Sequence, residues 1–310
     1  MNGPEGRRRS PLVSVIVPAY NAHATVRGSV ESLLQQSLDD IEIVVVNDGS
    51  TDSTASVVAA LAAEDARVCV IDRRENRGLV FSLQEALSAA RAPLIARLDA
   101  DDTAHRERLE RQVRSFQDPA VVLCATAYRR VRPDGALIRE SHPPAAHAAM
   151  AAALLDGNRI CHSSVMFRLD AARSVGGYRA EWYPVEDYDL WLRLMEVGRY
   201  TGIDEPLVDY LENEAGVSST NTGLQGARLD ERRAQYRSSV LNADRSPAGS
   251  PRTAATARRR LHERLVSRGI DTAGLDAQCY SMAVSGPGPT WRRRLRMLAA
   301  PRLVWRGLRG

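Results

Sequence analysis

Between residues 12 and 98 four short apolar runs of strand character are separated by three segments suited to helices. The runs are 12–18 (LVSVIVP), 41–47 (IEIVVVN), 68–72 (VCVID) and 94–98 (LIARL), all dominated by aliphatic residues. Short apolar runs bounded by turn residues read as buried strands. Helices are expected at 24–36, where Val26, Val30, Leu33 and Leu34 share a face, at about 51–63 behind a Ser50 or Thr51 cap, and at 78–90. Strand and helix alternating at this spacing specify an α/β fold with a doubly wound, mostly parallel sheet and flanking helices.

The fourth run continues into three carboxylates, LIARLDADD at 94–102. In an open α/β sheet, ligands bind just beyond the carboxyl ends of the strands. Asp99 and Asp101 share a parity, so an extended backbone aims both the same way. Two converging carboxylates repel unless a cation lies between them, and a hard divalent ion with oxygen ligands, Mg²⁺ or Mn²⁺, suits the place. A solvated acidic loop is the competing reading of a lone D-x-D, and Asp102 reads as solvated or as a helix cap.

Composition removes several classes. All 42 basic residues are Arg, so a P-loop and a Schiff-base mechanism, which both require Lys, are excluded. The glycine-rich dinucleotide fingerprint is missing after the first strand, which argues against an oxidoreductase. Cys69, Cys124, Cys161 and Cys279 are scattered, without the spacing of a zinc cluster or a disulfide framework. No signal peptide opens the chain and no apolar run approaches the roughly 18 residues of a spanning helix, so a cytoplasmic location is expected.

Beyond residue 102 the alternation loosens. Helices are expected at 106–116, 145–155 and 187–197, and strands at 121–128, 160–168 and, as a last edge strand, 207–210. Residues 226–310 hold 18 Arg against 6 acids, whereas residues 1–225 are net acidic. The expected organisation is a disordered basic arm at 1–10, one α/β domain at 11–225 and an arginine-rich helical region at 226–310.

VSVIVPAYNA at 13–22, VVVNDGSTDST at 44–54, ENRG at 75–78, LIARLDADD at 94–102, HSSVMF at 162–167 and EDYDLWLR at 186–193 together resemble family 2 glycosyltransferases. The resemblance implies a GT-A fold, a nucleotide-diphospho-sugar donor, a divalent metal and inversion at the transferred sugar. It assigns Pro18, Ala19 and Tyr20 to the nucleotide loop, with the Tyr20 ring offering a face for a base. It assigns Asp48 to the donor base, since a uracil imide N–H donates and a carboxylate accepts, although Asp48 capping the next helix stays open. Asn47 replaces the first acid of the usual D-D-G-S, and Gln84–Glu85 stand where many relatives carry basic or amide residues.

By the same resemblance, Asp99 faces the ribose or the metal, Asp101 binds the metal, and Asp187 is the base that deprotonates the acceptor hydroxyl. His162, Glu186 and Trp182 are further candidates on the metal or acceptor side, with Trp182 as a wall for a sugar face. The implied reaction is transfer of a sugar, with a UDP-sugar as the expected donor, to a glycan or lipid-linked acceptor in cell-surface polysaccharide or glycolipid synthesis. An inactive nucleotide-sugar or glycan-binding scaffold of the same fold is the alternative. Residues 290–310 combine seven Arg with Trp291, Trp305 and several Leu, which suits an anionic membrane surface, so the protein is expected to be peripheral on the inner face of the membrane. A helix packed on the catalytic domain is the other reading of this stretch, and nothing in it resembles a nucleic-acid fold.

Overall fold

A computed structural model describes residues 10–213 and 221–242. Its first half follows the expected alternation: β1 (Val13–Ala19), α1 (Val26–Leu34), β2 (Ile41–Asp48), α2 (Thr54–Glu64), β3 (Val68–Arg73), α3 (Leu79–Ala89) and β4 (Leu94–Arg97). Strands β1 to β4 pair in parallel in the order β3-β2-β1-β4. The unbroken apolar runs are explained by cover on both faces. Val13, Val15 and Val17 of β1 pack with Val26, Val30 and Leu33 of α1 and Leu61 of α2, whereas Ile16 packs with Leu83 and Leu87 of α3.

The second half comprises β5 (Thr103–Ala104), α4 (Arg108–Ser115), β6 (Val121–Val131), β7 (Leu137–Ser141), α5 (His147–Asp156), β8 (Val165–Arg168), α6 (Leu169–Ser174), α7 (Glu186–Leu194), β9 (Arg199–Leu211) and α8 (Thr222–Asn242). Antiparallel β8 continues the sheet from β4, followed by β6, β9 and β5, with β7 added to β6. The described strands therefore form one mixed sheet, parallel across β3-β2-β1-β4, antiparallel where β8 joins β4 and β6, and parallel again where β9 lies along β6.

Two local expectations need correction, and one hairpin was not expected. The strand expected at 160–168 is split, with a 3₁₀ turn at His162–Ser164 before the four residues of β8. Ser164 Oγ donates to the Cys161 carbonyl at 2.9 Å and Ser163 is engaged with Arg97, so side-chain bonds displace the ladder there. The edge strand expected at 207–210 is instead the end of the 13-residue β9, which runs between β6 and β5. Register shifts around Thr126 and Ala127 of β6 accommodate Pro206, which cannot donate to a regular ladder. The hairpin joining β6 to β7, turning at residues 132–136 with Gly135 at φ 82°, was not signalled by hydrophobic periodicity.

The boundary expected at residue 225 falls within α8. Tyr236 of this helix lies in the core cluster formed with α5 and α7, and Leu229 packs against that cluster. Apart from Ser10, the basic arm lies outside the described residues, as do residues 243–310 with the proposed membrane-binding stretch. No described helix is long and apolar enough to cross a membrane.

Candidate active site

The loops after β1 and β2 are stitched together. Asn21, at φ 49°, accepts the Thr51 amide at 2.9 Å, its own amide donates to Ser50 Oγ at 3.0 Å, and the Ala22 amide donates to Thr54 Oγ1 at 2.8 Å. Pro18 and Ala19 lie in the β1 ladder opposite Val46 and Asn47, and Tyr20 stands just beyond with half its surface exposed. Gly49, at φ 65°, allows the 75–76 backbone to approach so closely that a Cβ would lie 2.4 Å from the Glu75 carbonyl carbon.

Asp48, at the end of β2, is 3% exposed and caps no helix after it. Its Oδ1 accepts from Arg73 Nη1 and from the Arg77 amide, both at 2.9 Å, and its Oδ2 accepts from the Gly78 amide at 2.7 Å. Three of the carboxylate's acceptor sites thus fasten the loop that opens α3. Gln84 and Glu85 of α3 are also engaged within the protein: Gln84 Oε1 accepts the Tyr178 amide at 3.0 Å and Glu85 pairs with Arg73.

At the end of β4 the chain turns, with the Asp102 amide donating to the Asp99 carbonyl at 3.2 Å. The turn, rather than strand parity, brings Asp99, Asp101 and Asp102 together, with one ligand oxygen from each lying within 4.8 Å of the others. Asp102 is neither solvated nor a cap. It is fully buried, and its Oδ1 accepts the Leu211 amide of β9 at 2.9 Å. Its Oδ2 is buried without a hydrogen bond. Asp101 accepts from Asn213 Nδ2 at 3.1 Å. Burial, then the neighbouring Asp99 charge, raises the pKa of Asp101, and burial together with Asp99 and Asp101 raises that of Asp102 well above the usual range.

Arg97 connects this cluster to the rest of the site. It is 2% exposed, pairs with Asp99, and donates through Nη1 to Ser163 Oγ at 2.7 Å. Ser163 Oγ also donates to Asp99 Oδ2 at 3.2 Å and accepts the Asp99 amide at 3.1 Å. The adjacent His162 shares a 2.8 Å hydrogen bond with Tyr178 and meets the edge of Trp191. Burial, then Arg97, holds the His162 pKa well below the ordinary value, which keeps the ring neutral near pH 7.

Glu186 and Asp187 open α7. Glu186 is buried with Oε2 unpartnered, and burial, then Asp187, pushes its pKa up to about 8. Asp187 is half-buried; Oδ2 accepts from Asn158 Nδ2 at 2.7 Å and Oδ1 from the Tyr188 amide at 2.6 Å. Burial raises the pKa of Asp187, and the bond from Asn158 opposes that rise. Trp182 does not form an open wall. It is 8% exposed, with the guanidinium groups of Arg228 and Arg232 from α8 against its ring.

Sequence reasoning missed Arg97, Ser163, Asn158, Tyr178 and Asn213. Only Arg97 had a local signal, a lone charge inside an apolar strand run, because such a charge must be paired when buried. The others come from loops far apart in the chain and meet only through the sheet.

A family model described as Glycosyl transferase family 2 matches residues 14–175. Hyaluronan synthase of Pasteurella multocida is 30% identical over 220 residues, which is 70% of this chain and 22% of that protein. The chain thus spans about a fifth of that relative's length. Among solved structures, S. aureus TarS 1-349 in complex with UDP-GlcNAc superposes with TM-score 0.63 at 19% identity, covering 92% of this chain and 83% of that one. Mannosyltransferase PcManGT from Pyrobaculum calidifontis, solved with GDP-Man and Mn²⁺, superposes with TM-score 0.55 at 20% identity, covering 93% and 85%. The architecture they share is the GT-A fold.

Proposed function

Because the chain belongs to glycosyl transferase family 2, we propose that it transfers a sugar, with inversion, from a UDP-linked donor to an acceptor hydroxyl in cell-surface polysaccharide or glycolipid synthesis. One observation carries this reading. Asp99 is bonded to Arg97 and Ser163, the adjacent His162 is bonded to Tyr178, and Tyr178 and Arg97 both act electrostatically with Glu186 and Asp187, which supports reading the acidic cluster and that pair as one site. Electrostatics agrees, since Glu186 responds to both Arg97 and Asp99.

The acidic cluster fits a hard divalent ion. Its donors are all carboxylate oxygens, and the Oδ2 of Asp102 is buried without a hydrogen-bond partner. Asp99 and Asp101 would hold Mg²⁺ or Mn²⁺ there, and such an ion supplies Lewis-acid stabilisation of a leaving diphosphate. Tyr20 offers its exposed ring to the nucleotide base, and Pro18 and Ala19 shape the backbone beside it. Asp48 keeps the loop before α3 in place and contributes its remaining lone pair to the base pocket.

Asp187 takes the proton from the acceptor hydroxyl as that oxygen attacks the sugar carbon, and is reachable where Glu186 is not. Glu186 keeps its own proton at neutral pH and lies on the acceptor side of the pair. Neutral His162 holds Tyr178 and shapes the floor of the site. Residues 290–310, basic and Trp-containing, place the enzyme on the inner face of an anionic membrane, close to a lipid-linked acceptor.

Release of nucleotide from a panel of UDP- and GDP-sugars, with Mn²⁺ and a mixture of mono- and oligosaccharide acceptors, tests the reading. Turnover of a UDP-sugar that EDTA and Asp101→Ala both abolish is expected, with the variant folded because it removes a partly exposed carboxylate and no core. Full turnover in EDTA would overturn the metal, and turnover of GDP-sugars alone would overturn the donor. A chain that binds UDP-sugars yet transfers nothing would be a scaffold.

A further inference from the structure

Asn158 and Asp187 are 29 residues apart and meet across a junction that α8 fastens on both sides. Asn158 stands on the loop after α5, and α8 caps the end of α5 where Arg233 donates to the Asp156 carbonyl and Arg237 to that of Leu155. On the opposite side α8 grips the segment leading into α7. Arg228 donates to the Glu181 carbonyl, Gln225 Nε2 to the Pro184 carbonyl at 3.3 Å, and Arg232 pairs with Asp189. This helix lies outside the residues that the family model matches.

We propose that Asn158 is a positioning residue for the reaction, holding the Asp187 carboxylate in the plane from which it meets the acceptor hydroxyl, and that α8 keeps the pair in register. The inference rests on Asp187 being the general base. A carboxylate on a one-carbon stem turns about its terminal torsion, which is broad and soft. The Asn158 amide on Oδ2 and the Tyr188 amide on Oδ1 remove that freedom from two directions. Misplacement of a reacting group by about 1 Å costs a reaction about 100-fold, so fixing this plane matters for turnover and not for donor binding.

Asn158→Ala, Asn158→Ser and Asn158→Asp in the full-length chain test the role, with Mn²⁺ and the UDP-sugar identified by the panel. Asn158→Ala is expected to lower kcat by about 10- to 100-fold, with donor KM within about twofold. Asn158→Asp, almost the same size, is expected to lose more than Asn158→Ala, because it sets a second carboxylate against Oδ2. A merely structural position ranks those two variants the other way. Asn158→Ser keeps a short donor and is expected between wild type and Asn158→Asp, which preserves the comparison if the Ala variant does not fold. Raised donor KM with unchanged kcat, or Asn158→Asp performing as well as wild type, would overturn the proposal. Asp187→Asn separates this failure from that of the underlying reading. If Asp187→Asn is inactive while Asn158→Ala and Asn158→Asp turn over normally, only the positioning role fails. If Asp187→Asn stays within a few-fold of wild type, the base lies elsewhere and both fail.

Discussion

At the residue scale the site is an arrangement of carboxylates in different states. Asp187 is half-buried and hydrogen-bonded by an amide, whereas its neighbour Glu186 is buried with an oxygen unpartnered. Burial and the Asp187 charge raise Glu186 from 4.5 to about 8, so the folded chain retains a proton that the unfolded chain releases. The stability associated with that proton is fully present below about 4.5 and is lost as the pH rises towards about 8. Glu186→Gln removes the titration, so its urea midpoint is expected to fall less than that of wild type across this range. Parallel curves for the two proteins would show that Glu186 ionises freely in the fold.

At the scale of elements, α7 and α8 are joined through one buried ion-pair group. Asp189 is fully buried and takes Arg193 of its own helix and Arg232 of α8, while Arg193 also donates to the Gly177 carbonyl at 2.7 Å. Removing the carboxylate leaves two guanidinium groups in a poorly solvated place without their counter-charge. Asp189→Ala is therefore expected to destabilise the protein by about 3–5 kcal/mol in urea denaturation. A loss below about 1 kcal/mol would mean that solvent reaches the pair and that α8 is held by its other hydrogen bonds and its apolar residues. A second polar seam runs through α4. Buried Arg108 donates to the carbonyls of Arg97 and Val165 and buried Gln112 to those of Cys124 and Ser164, fixing β4, β6 and β8 against one helix. Neither seam was legible in the sequence, where Arg108, Gln112 and Asp189 read as ordinary polar positions of amphipathic helices.

At the scale of the whole molecule the charge is divided, with residues 226–310 strongly basic and the α/β portion net acidic. A basic, Trp-containing end gains about 1 kcal/mol per Arg at an anionic surface. Deleting residues 286–310 is thus expected to release the protein from phosphatidylglycerol vesicles in a sedimentation assay and to leave its behaviour with neutral vesicles unchanged. Equal sedimentation of the full-length and shortened chains with anionic vesicles would contradict a membrane role for this end. High salt supplies a second check, since screening weakens such binding.

The sequence by itself determined the parallel half of the sheet, because four aliphatic runs at βαβ spacing can bury themselves in few other ways. Local pattern also singled out Asp99 and Asp101, acids placed directly after a buried run, whereas Asp48 and Asp187 were marked only by the resemblance to family 2 glycosyltransferases. Tertiary structure alone decided their partners. Asp48 is committed to Arg73 and the 77–78 amides, Asp102 is drawn inside by β9, Trp182 is covered by α8, and Asn158 is brought to Asp187. Local periodicity reports which side of an element is apolar, and these pairings join residues tens of positions apart. They exist only once the sheet and the helices on it have closed, and the same closure removes water and so sets which carboxylates keep their protons.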